Sequence, residues 1–103
     1  MKQTRMKPDA RKEEILAAAL PLAVAHGYAK VTRDQIAAAA KVSGPTLHYH
    51  FGTIAQLRRD LMRYAVRESC LRVIAQGILV RDPQAMKADV GLRRQAMGSL
   101  ADC

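Results

Sequence analysis

Aromatic side chains are scarce in this sequence: there is no tryptophan, one phenylalanine (Phe51) and three tyrosines. A sandwich or barrel fills its core from aromatic and β-branched residues, so the shortage argues against both, and the wealth of alanine and leucine favours helices. Cysteine is nearly missing too. Cys70 and Cys103 have the spacing of neither a metal site nor a redox pair, which fits a reducing cytoplasm. No apolar run approaches the ~20 residues that cross a bilayer, and the first residues lack the apolar core of a signal peptide. A soluble, unprocessed cytoplasmic protein with no membrane contact is expected. Acidic charge is also short: nine Asp and Glu face seventeen Lys and Arg, for a net charge of +8. The excess is spread over both halves of the chain, and it makes nucleic acid or an acidic protein the leading class of partner. At 103 residues the chain can hold one helical core and no second substrate domain.

The groupings that catalysis needs are absent as well. No nucleophile is placed beside a base and an orienting group, and there is neither a glycine-rich phosphate loop nor a spaced carboxylate pair. His48 and His50 stand two apart, so on a helix they point in nearly opposite directions and cannot share an ion. No enzyme activity, metal or cofactor is expected.

What is present is a dense set of helix signals around Thr32–Phe51, TRDQIAAAAKVSGPTLHYHF. Thr32 and Gln35 form an S/T-x-x-E/Q capping box, which predicts a helix from Arg33 with Ile36, Ala37 and Ala40 on one side. Lys41-Val42-Ser43 breaks it. A second short helix follows, because Pro45 lacks an N–H and belongs in a first turn; either Ser43 or Gly44 can cap it. Leu47 and Phe51, four apart, face inward and leave Thr46, His48, Tyr49 and His50 for the other faces.

Around this centre, residues 1–8 read as a basic flexible arm carrying Lys2, Arg5 and Lys7. Asp9 is placed to cap a helix from about Ala10 to His26, with Ile15, Leu16, Ala19, Leu22 and Ala23 inward and Gly27 as its left-handed stop. Thr53 and Gln56 repeat the capping box, so a helix starts at Ile54. Its apolar seam, Leu57, Leu61, Tyr64, Leu71, Ala75 and Ile78, predicts a run to about Gln76 with Gly77 as the stop, interrupted only by Glu68. The Arg59, Arg63 and Arg67 stripe reads as a solvated face. Asp82-Pro83 opens a last helical region to Ala101, either continuous or as a short turn followed by a helix from Val90, because Asp89 and Gly91 weaken its middle. Met86, Val90, Met97 and Leu100 supply its apolar groups.

The ordered set Ile15–Ala19, Gly27-Tyr28, Thr32, Ile36-Ala37, Ala40, Val42-Ser43, Thr46-Leu47, His50-Phe51 and Leu57 resembles the helix-turn-helix of TetR-type (tetracycline-repressor-like) transcriptional regulators, without a gap from about Arg11 to Leu57. The resemblance implies an all-α fold: a three-helix bundle carrying the motif over residues 9–52, then one long helix and a short helical region over 53–103 that pair two copies. It also implies a regulator, expected to be a repressor, that binds double-stranded DNA as a homodimer on a palindromic operator. The usual full ligand-binding domain has no room in the residues after Leu57, so a small-molecule effector is not expected. Four positions depart from the family pattern. Lys41 replaces a glycine and must adopt a left-handed conformation at about 1 kcal/mol; His48 and Ile54 replace phosphate-gripping Tyr and Lys; Pro21 falls inside the first helix, where it removes a hydrogen bond.

Base contacts are expected from Gly44, Pro45, Thr46 and Tyr49, small or amphipathic groups that let a backbone or a ring reach base edges. Phosphate contacts are expected from Thr32, Arg33, Ser43, His48, His50 and Thr53, at helix starts and at the end of the second helix. The alternative that the residues leave open is a protein-interaction module, an antirepressor or inhibitor that turns the same helical surface toward an acidic protein.

Overall fold

A computed structural model describes residues 8–101. Met1–Lys7, all of the expected arm but its last residue, lie outside the described residues, as do Cys103 and the side chain of Leu100; Pro8, expected in the arm, belongs to the first helix. Among the described residues the fold is all-α: α1 Pro8–His26, α2 Arg33–Ala40, α3 Gly44–Phe51, α4 Ile54–Arg67, α5 Leu71–Leu79, α6 Pro83–Met86 and α7 Val90–Ala101.

The helix starts follow their side chains. Thr32 Oγ1 accepts the Gln35 N–H at 3.2 Å while Gln35 Oε1 accepts the Thr32 N–H at 3.0 Å, and Thr53 and Gln56 repeat the exchange at 3.1 and 3.3 Å. Asp82 caps α6, its Oδ1 accepting the Gln84 N–H at 2.8 Å, and a separate α7 starts at Val90. The first helix differs from its expected start. It opens at Pro8, two residues ahead of Ala10, so Asp9 falls within the first turn instead of before it. The helix runs on through Pro21; that residue and Ala17, whose carbonyl loses its N–H partner, are both exposed to water.

The expected run from Ile54 to Gln76 is broken. α4 ends at Arg67, Ser69 turns left-handed at φ 57°, and α5 starts at Leu71. The cause is a paired closure: the Cys70 N–H donates to the Ala65 carbonyl at 2.8 Å and the Ser69 N–H to the Val66 carbonyl at 3.1 Å. The same pair of bonds closes α2 at Lys41 (φ 60°), from Val42 to Ala37 and from Lys41 to Ala38, and α5 at Arg81 (φ 59°), from Asp82 to Gly77 and from Arg81 to Ile78. Glycine usually takes the left-handed place in this motif, and none of the three sites has it. Each therefore holds a strained residue. Lys41→Gly is expected to raise the unfolding free energy by about 1 kcal/mol in urea titration; a loss of stability would contradict the strain.

Gly77, expected to stop a helix, is buried inside α5. A methyl group there would come within 2.6 Å of both Ala85 Cβ and Met62 Cε, so its role is to let α5 approach α4 and α6. One main core joins α1 through α6, with Ile15, Ile36, Leu47, Leu57, Leu61, Met62 and Val73 at most 2 % exposed. A small second cluster of Ile74, Ala75 and Ala96 seats α7 on α5.

A polar clasp ties this C-terminal half to the end of α1. Gln76 Oε1 accepts the Tyr28 N–H at 2.8 Å and its Nε2 donates to the Ala23 carbonyl at 3.0 Å, so one amide completes the end of α1. The Tyr28 hydroxyl donates to Asp82 Oδ2 at 2.8 Å. Burial, followed by that bond to a carboxylate, pushes the Tyr28 phenol well above its ordinary value, so it stays a donor throughout the neutral range.

Candidate nucleic-acid interface

Helix α3 is anchored on one side and open on the other. At 100° per residue, Leu47 and Phe51 share a face, and both are buried, at 2 % and 4 % exposure. Tyr49 points the opposite way and is 77 % exposed. Pro45 and Thr46 flank Tyr49, while His48 and His50 fall on opposite edges, the first exposed and the second half-buried against the Tyr49 ring in an edge contact at 5.1 Å. Gly44 starts the helix and is exposed.

Ser43 is the cap, which settles the choice between it and Gly44. Its hydroxyl oxygen accepts the Thr46 N–H at 3.1 Å and its proton goes to Thr46 Oγ1 at 2.9 Å. Both capacities of Ser43 are thus engaged within the turn, and the proton free to point outward is that of Thr46. Pro45 has no N–H to offer. Among the first-turn donors described, only the Gly44 N–H has neither a side chain nor a carbonyl as partner.

Two further hydroxyls stand at helix starts with a proton to give. Thr32 and Thr53 are exposed, and each oxygen accepts an N–H within its capping box, which leaves the O–H for an external acceptor. Arg33 has a second task that sequence spacing did not reveal. Its Nη2 donates to the Gly52 carbonyl at 3.1 Å, stitching the start of α2 to the exit of α3. Gly52 at φ 73° makes that exit possible; a Cβ there would meet the Gln56 amide. Arg58 is likewise inward-turned, donating to the Val31 carbonyl at 3.3 Å, and its buried Nε has no protein partner, for which the structure offers no explanation.

Two short helices crossing through a tight left-handed turn, the second anchored by two apolar residues and open along its far side, make a helix-turn-helix. Residues 15–61 match the family model described as bacterial regulatory proteins, tetR family. Residues 15–61 thus carry a TetR-family helix-turn-helix DNA-binding domain, the domain of DNA-binding transcriptional regulators. Regulators of this family are DNA-binding proteins and not enzymes. Neither the curated proteins nor the solved structures contain a match to it. Among the described residues, no helix is long and apolar enough to cross a membrane.

Proposed function

We propose that the chain is a repressor that works in the cytoplasm and occupies a palindromic operator as a homodimer. Gly44, Pro45, Thr46 and Tyr49 face base edges in the major groove. Thr32, Arg33, His48, His50 and Thr53 hold the phosphate backbone on either side, with Ser43 positioning Thr46 more than touching DNA itself. One observation carries the reading: the residue on α3 farthest from its buried anchors is an exposed tyrosine, a large amphipathic group on the face that a groove would receive.

Residues 9–52 form the reading unit and 53–103 the pairing unit. The exposed apolar side chains of Val90 and Met97, which line one shallow groove with Ile78, support pairing through the C-terminal helices, since an apolar patch on a small protein marks a contact surface. A single short helix reads few bases, and a dyad doubles them.

Selection from random genomic fragments, followed by sequencing at two salt concentrations, tests this. Enrichment of an inverted repeat with half-site centres about 34–36 Å apart is expected, together with binding that weakens steeply with salt. Enrichment of single, unrepeated sites would refute the homodimer. An unselective pool, with a tight acidic protein partner recovered instead, would favour an interaction module.

A further inference from the structure

The exit of α3 opens into a notch built by three separate elements. Lys12 comes from α1, Tyr49 and His50 from α3, and Gln56, Arg59 and Asp60 from α4. Lys12 is held in place: its Nζ lies 3.6 Å from Asp60 Oδ2 and 5.4 Å from the centre of the Phe51 ring, with over a third of the side chain still exposed. Asp60 is offset from its far side by Arg63 at 4.0 Å. Arg59 is exposed and, among the described residues, has no carboxylate at ion-pair distance. Gln56 gives its oxygen to the Thr53 N–H, which leaves its amide nitrogen as a donor. The notch thus carries two cations against one carboxylate that is itself shared between two cations.

Position gives this charge a use. The start of α4 offers no cation, because Ile54 is apolar and packs on the core. Beside Tyr49 and His50, the notch brings the positive groups of Lys12 and Arg59 together. We propose that the notch seats one phosphodiester of the bound duplex, with Lys12 Nζ and the Arg59 guanidinium as its main ligands and the Gln56 amide and His50 ring completing the donor set. Asp60 and Phe51 position Lys12 in advance, so less side-chain freedom is lost on binding. The site rests on the reading that the outer face of α3 meets DNA.

The test is binding to a defined duplex oligonucleotide of unselected sequence, followed by fluorescence anisotropy across a salt series. Removing one phosphate contact should reduce the slope of log K against log salt by about 0.9 for each notch, equivalent to about tenfold weaker binding at 0.1 M salt. The double variant K12Q/R59Q is expected to show that loss, and Lys12→Arg to retain the parental slope. The double variant R67Q/R72Q removes equal charge from α4 and α5, outside the notch, and is expected to leave the slope nearly unchanged. Thermal unfolding verifies that every variant is folded, since the exposed pairs lost are worth little. If K12Q/R59Q loses no more slope than R67Q/R72Q, the notch is ordinary basic surface and the proposal fails. Tyr49→Ala, assayed on a selected sequence, separates the two levels: altered discrimination beside an unchanged K12Q/R59Q slope defeats the notch alone, whereas silence in both defeats the α3 reading with it.

Discussion

Truncating Leu61 to alanine is expected to lower the unfolding free energy by about 2–5 kcal/mol, the range for a leucine whose surroundings collapse only partly around the gap. Leu61 has no solvent exposure and lies on α4, the helix against which α1, α3, α5 and α6 all pack. A domain of this size has a total stability of about 5–15 kcal/mol, so one residue removes a large fraction of it. Far-UV circular dichroism in urea is the appropriate measurement, since every described element is helical and the chain has no tryptophan. The main core is continuous from α1 to α6. The reading unit and the helices after it should therefore unfold in one transition, with a lower midpoint and an unchanged slope. A loss below about 1 kcal/mol, or two transitions of which only one moves, would contradict a shared core.

This shared core also explains which parts of the fold the sequence made legible. The starts of α2, α3, α4 and α6 are written in side chains within three residues of the backbone groups that they satisfy: Thr32, Thr53 and Asp82 cap as their spacing predicts, and Ser43 takes the cap that the sequence left open between it and Gly44. The ends were harder to read. Gly27 announced the end of α1, but Ser69 and Arg81 are left-handed without being glycine, and the apolar seam continues across Ser69 as if one helix ran through. Gly77 looked like the missing stop, yet its small size serves contact with Met62 and Ala85, which lie 15 and 8 residues away in the chain.

The site divides in the same way. The inward pair Leu47 and Phe51 and the outward Tyr49 follow from helical period alone. The commitment of the Ser43 hydroxyl to Thr46, the bond from Arg33 to the Gly52 carbonyl and the meeting of Lys12 with Asp60 depend on how elements pack. So does the clasp by which Gln76 and Asp82 hold Tyr28, across separations of 48 and 54 residues. Local spacing carries no record of such partners.

Replacing Tyr49 by alanine is expected to remove about 1–3 kcal/mol of discrimination per half-site, measured as the ratio of affinities for the selected palindrome and an unselected duplex. Since 1.4 kcal/mol is tenfold, and a dimer presents the change twice, a preference of several hundredfold can fall to almost nothing. Binding to the unselected duplex should change little, because that affinity comes from phosphate contacts that Tyr49 does not supply. Folding should be nearly unaffected: the side chain is 77 % exposed, and its one described ring contact is the edge of His50. Tyr49→Phe divides the effect further. If the ring works by packing against base edges or thymine methyl groups, phenylalanine keeps most of the preference; if the hydroxyl reads a base, phenylalanine behaves like alanine. Equal losses on both duplexes, with a smaller salt dependence, would place Tyr49 on the backbone and leave sequence reading to Gly44, Pro45 and Thr46.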